Sequence, residues 1–163
     1  MGDTVSVERL TTAEQFRMLE PAWDALALQN SVSSPQLTFS WLFTWWRWFG
    51  SDTSLYILTA RRGEQCVGIA PLFLRQDQTQ EGGRVVHFLG EGLSDYAGFL
   101  CMENDNDASR GLWRYLLDHE QDWDSIFLRE IPEGAPDNAA ALSLCSGTRF
   151  HAQSDRTVGC PFL

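Results

Sequence analysis

The segment from Thr38 to Gly50, TFSWLFTWWRWFG, constrains this chain more than any other. Thr38 can cap a helix and Gly50 can end one, so the spacing predicts a single helix between them. Trp41, Trp45 and Trp48 share one face of that helix; Phe39, Leu42, Trp46 and Phe49 occupy the other. A helix that is apolar on nearly all sides must be buried on nearly all sides. A chain of 163 residues supports one compact domain with limited room for such an element. One face of the helix is therefore expected to meet another domain or to line a ligand cleft.

The flanking sequence reads as a mixture of strands and helices. Val5 to Leu10 alternates like a strand. Thr12 and Gln15 form a capping box, followed by Phe16, Leu19, Trp23 and Leu26 at helical spacing, with Pro21 expected to kink that helix or start a second one. Beyond a turn-rich connector at 31–36 and the aromatic helix, Leu55 to Ala60 is expected to be one strand and Cys66 to Leu74 its hairpin return. Pro71 marks an edge or bulge in that return. Asp77 to Gly83 reads as a loop. Val85 to Leu89, Tyr96 to Met102 and Ser125 to Ile131 read as further strands, and Phe150 to Gln153 as another. Asp107 is expected to cap a helix reaching about Glu120, and Asp137 or Asn138 to open a short one ending at Gly147. The pattern is that of an α/β or α+β domain.

Composition narrows the chemistry. The formal net charge is -10, which repels phosphate backbones and argues against a nucleic-acid partner. The chain has no lysine, so it can form neither a Schiff base nor a P-loop. Cys66, Cys101, Cys145 and Cys160 lack C-x-x-C spacing and the polar N-terminus lacks a signal-peptide core, which together suggest reduced thiols in a cytoplasmic setting. No apolar run is long enough for a membrane span. His87, His119 and His151 are too scattered to suggest a metal site.

Few residues stand out as site candidates, and none is assigned a catalytic role. Gly90 to Tyr96 (GEGLSDY) follows a strand end, where α/β sheets often bind ligands. There Glu91, Asp95 and Tyr96 are candidate substrate contacts: Asp95 accepting from an amine or hydroxyl, Tyr96 stacking on it. The alternative is a turn in which Asp95 bonds nearby backbone amides and Tyr96 packs. Trp45, with Trp41 and Trp48, offers a platform for a sugar or acyl chain, or else simply packs. Glu130 beside Arg129 is either a general base or half of an ion pair. Ser94 and Ser125 lie in no nucleophile elbow, and His87 reads as a hydrogen-bonded core residue. Gln65 to Ala70 (QCVGIA) matches a Q-x-x-G-x-A phosphate loop in letters. Such a loop must open a helix, however, and Pro71 to Leu74 continues a strand, so the match is expected to be a decoy.

Five phrases in order, WLFTWWRWFG (41–50), VGIAPL (67–72), FLGEGLSDYAGFL (88–100), WDSIFLREIP (123–132) and the terminal CPFL, resemble the N-terminal half of CelD-like proteins associated with bacterial cellulose biosynthesis, relatives of the Fem aminoacyltransferases. The resemblance covers nearly the whole chain. It implies a GNAT-like lobe, a mixed and mostly antiparallel sheet flanked by helices. It further implies a second, catalytic GNAT lobe beyond Leu163, which would carry the donor, an acyl-CoA or an aminoacyl-tRNA, while this lobe shapes a cleft for an amine acceptor. No metal is implied. Two alternatives remain: a non-catalytic module recognising a glycan precursor or a protein, and self-association through helix 38–50.

Overall fold

The computed structural model describes residues 4–29, 34–77 and 82–155. The first strand, β1 (Val5–Leu10), leads through the Thr12–Gln15 capping box into α1 (Ala13–Met18), with both reciprocal bonds of the box in place. The helix breaks at Leu19 and resumes as α2 (Glu20–Gln29), with Pro21 in its first turn, where a missing N–H costs nothing. After a 3-10 turn at Pro35–Leu37 comes α3 (Phe39–Phe49), capped by the Thr38 hydroxyl and ended at Gly50. A Cβ at Gly50 would meet the Trp46 ring at 2.4 Å, so only glycine fits the close of this helix.

The expected strand 55–60 is in fact two, β2 (Thr53–Leu55) and β3 (Ile57–Arg62), divided at Tyr56. Its partner 66–74 divides in the same way at Pro71, into β4 (Gln65–Ala70) and β5 (Leu72–Asp77). Proline cannot donate to a ladder, so the pairing changes sheets at that level. β6 (Gly83–Phe88) pairs with β5, while β7 (Leu100–Cys101), all that pairs of the expected strand 96–102, joins β4. α4 (Asn106–Asp118), the short β8 (Ser125–Ile126) and α5 (Pro136–Cys145) complete the described elements. One four-stranded sheet has the order β1-β3-β4-β7 and the other β2-β5-β6-β8; every pairing is antiparallel except β6 with β8.

Four local expectations need correction. The cap of α4 is Asp105, whose carboxylate accepts from the Ala108 amide, and not Asp107. α5 starts at Pro136 rather than at Asp137 or Asn138, because a proline at the first helical position needs no donor. Residues 128–131 and 150–153 carry strand-like sequence but are not strands: the pairing with β6 ends at Phe127, whose amide donates to the Val86 carbonyl, and Glu130 then adopts a positive φ of 63°, which breaks the first extended run. The terminal 160–163 lies outside the described residues.

β6 and β7 both run antiparallel to the line β4–β5, with Phe88 opposite Leu72 and Leu100 opposite Ile69. They are thus two pieces of one strand. Residues 89–99 leave it opposite only Ala70 and Pro71, where β2–β3 and β4–β5 also break. The Leu89 amide donates to the Pro71 carbonyl, and the Tyr56 amide to that of Leu72, which closes the ladder across the break.

The sheets are covered on both faces. On one side Leu58, Val67, Leu72 and Phe88 pack with Leu112, Trp113 and Leu116 of α4. On the other Ile57, Ile69 and Phe73 meet Phe16, Trp23, Leu42 and Trp45 from α1 to α3. α3 is less buried than its composition predicts. Phe39, Leu42 and Trp45 are inside, but Trp41, Trp48 and Phe49 remain 38%, 78% and 56% exposed.

Candidate functional site

The excursion at 89–99 is held from several directions. Gly90 and Gly92 have φ of 90° and 80°, and a Cβ on Gly90 would lie 2.3 Å from the Ser94 hydroxyl. The Gly90 carbonyl accepts from the amides of Leu93 and Ser94, closing a tight turn. Ser94 is buried and accepts from the Trp41 indole at 3.1 Å, consistent with its exclusion as a nucleophile.

The four residues expected to touch substrate are placed in two groups. Asp95 and Tyr96 meet Gln36, a residue that sequence reasoning passed over. The Gln36 carbonyl oxygen accepts from the Asp95 amide at 2.8 Å and the Tyr96 amide at 3.2 Å; its amide nitrogen donates to Asp95 Oδ2 at 3.1 Å. Glu91 and Trp45 belong to a second group. Glu91 bridges Arg75 at 2.6 Å and His87 Nδ1 at 2.9 Å. His87 stacks on Phe73, and Phe73 packs against Trp45 with centroids 5.3 Å apart. His87 is buried as expected, yet its Nδ1, 2.9 Å from the Glu91 carboxylate, makes no directed hydrogen bond. Burial alone would raise the Glu91 carboxyl; His87 and Arg75 outweigh it and hold the group below the usual carboxylate range.

The chain next passes along a cleft of about 450 Å³. It is lined by Gln29 and Leu37, by Ala97 and Gly98, and by Glu103 and Glu133. Asp105 also lines it, but both its oxygens are engaged: Oδ1 with the Ala108 amide and Arg62, Oδ2 with Arg62 at 2.8 Å. The N-terminus of α4 therefore meets its own carboxylate, with Glu103 and Asp107 on either side. The signal for this site was the run M-E-N-D-N-D at 102–107, where sequence reasoning noted only Asp107.

Gln65 to Ala70 is strand β4, and the Cα of Gly68 faces Cys101, Ala108 and Leu112 rather than an open loop. The Glu130 carbonyl accepts from the Ala97 amide, while its carboxylate lies 3.9 Å from Arg129. Cys66, Cys101 and Cys145 are thiols rather than disulfides, and burial pushes the Cys66 thiol up, away from reactivity. No helix among the described residues is long and apolar enough to cross a membrane.

No family model matches the chain, and no curated protein matches it. Similar solved structures are of low identity. Glucosamine-6-phosphate N-acetyltransferase from Arabidopsis thaliana is 12% identical over 96% of this chain and 100% of that chain, with a TM-score of 0.51. The wild-type protein TTHA1254 from Thermus thermophilus is 18% identical, covering 96% and 99%, with a TM-score of 0.48. Ribosomal-protein-alanine N-acetyltransferase from Brucella melitensis biovar Abortus 2308 is 12% identical, covering 94% and 99%, at 0.49. The Arabidopsis match, together with the strand order and its flanking helices, makes the architecture an α+β, GNAT-like fold of mixed and mostly antiparallel sheets.

Proposed function

We propose that this chain is the acceptor-side lobe of a GNAT-superfamily N-acyltransferase, binding an amine in the cleft beside α4. The observation that carries the reading is the charge at the mouth of that helix. A helix N-terminus ordinarily attracts phosphate. Here Asp105 takes the N-terminal amide and a bidentate Arg62, and Glu103 and Asp107 flank it. A coenzyme A pyrophosphate brought to this point would meet like charge, so the residues present do not fit the donor. The same carboxylates suit an ammonium group. Glu103 and Glu133 would hold its charge, and Asp95 and Tyr96, next in the chain to cleft-lining Ala97, would contact the rest of the acceptor.

In this reading the donor acyl-CoA belongs to a second GNAT-like lobe, as the CelD-like resemblance implies. The exposed Trp48 and Phe49 of α3 supply apolar surface for that lobe. The same surface favours a second reading, a non-catalytic module that self-associates through α3 or recognises a protein or glycan precursor.

Calorimetry and a thiol-release assay separate the two. The amine reading expects spermidine to bind the chain, more weakly in Glu103→Gln/Glu133→Gln and in high salt. It also expects no binding of acetyl-CoA and no turnover by this chain with any amine. Acetyl-CoA binding with turnover would refute the assignment of this lobe to the acceptor side. Absence of spermidine binding, with a dimer abolished by Trp48→Ala, would favour the second reading.

A further inference from the structure

Gln36 joins two separate stretches of chain that line the cleft. Leu37, its neighbour in the chain, belongs to one, and Ala97 and Gly98, just beyond Asp95 and Tyr96, to the other. No ladder joins these stretches. The three Gln36 bonds span 59 or 60 residues of sequence and use every kind of group the side chain offers. Only one orientation of the amide works, because the oxygen faces two N–H donors and the nitrogen faces a carboxylate. Phe99 is fixed independently, edge-on to Phe88 and tilted against Trp113 in the core, and the turn at Ser94 is tied to Trp41. Between those two anchors, residues 95–98 have the Glu130 carbonyl on one side and Gln36 on the other.

We propose that Gln36 is a positioning residue, a staple that closes one rim of the cleft and so sets what the cleft admits. The ligand part rests on reading the cleft as an amine site; the closure part does not. Asp95 is then a member of the staple, and its engaged Oδ2 explains why this carboxylate stays fixed beside the rim.

The test uses three forms of the full chain: wild type, Gln36→Leu, and Gln36→Glu/Asp95→Asn, in which donor and acceptor trade places. Rim closure is read without any ligand, from hydrogen exchange at the amides of 95 and 96 and from the alkylation rate of Cys101, which lines the cleft. In Gln36→Leu, exchange should rise about tenfold, the scale of losing paired amide bonds. Cys101 should alkylate faster, and the double variant should return both values toward wild type. Unchanged exchange or unchanged Cys101 alkylation in Gln36→Leu overturns the proposal, as does a double variant no better than the single one. Spermidine affinity is measured alongside in wild type and Gln36→Leu, which leaves Asp95 unchanged: weakening in Gln36→Leu supports control of admission. Equal affinity in the two forms overturns that control. If wild type binds no spermidine, the amine reading fails by itself, and the exchange and alkylation results still decide whether Gln36 closes the rim.

Discussion

Asp105 joins three parts of the molecule through one carboxylate: the first turn of α4, the end of β3 through Arg62, and the cleft wall. Replacing it with alanine leaves helix amides uncapped, and thermal unfolding should show a loss of about 1–2 kcal/mol. Glu91 adds a pH dependence. Its folded pKa is depressed, so its stabilisation is complete above the unfolded carboxylate value and fades as pH falls below about 4.3 through the lower folded value. Urea midpoints measured from pH 3 to 7 should therefore fall less steeply with acid in Glu91→Gln than in wild type. Tyr56 acts at the other extreme. Burial first, then its bond to Asp122, raise the phenol well above its ordinary value. The stability it confers is intact below about pH 10 and lost above it. Among the three tyrosines, one should fail to ionise by ultraviolet difference absorbance until the protein unfolds.

At the scale of elements, α3 separates packing from exposure along one stripe. Trp45 is buried against Phe73, and Trp45→Ala should cost about 3–5 kcal/mol by denaturant melts. Trp48→Ala, three residues on, should stay within about 0.5 kcal/mol of wild type. Helices were the legible part of this sequence because caps and periodicity are local: Thr12, Thr38 and Gly50 act where their spacing places them. Strand ends were less legible. Nothing near Tyr56 in sequence reports that its neighbours belong to different sheets; that division is set by Pro71 across the hairpin and by the excursion after Phe88. The site was legible only in part. Gly90 to Tyr96 was recognisable as a special turn from its glycines, but the staple depends on Gln36, in the 3-10 turn before α3 and 59 residues from Asp95, a contact that no local pattern encodes.

On the scale of the whole molecule, a three-layer body with helices on both sheet faces carries its most irregular segment in the middle of a strand. That segment leaves and rejoins the strand beside Pro71, so the ladder on either side keeps its register. Gly90 must remain glycine for the turn to close, and Gly90→Ala should lower stability by about 1–3 kcal/mol in chemical denaturation, from its positive φ and the approach of Ser94. At the tip the situation reverses. Gly92 has nothing within 4 Å of where a side chain would start. A strand that pauses in this way works as a socket: Leu93, 53% exposed beside that tip, can be exchanged for a cysteine that carries a reporter into solvent while the Gly90 turn and the sheet beneath keep their bonds.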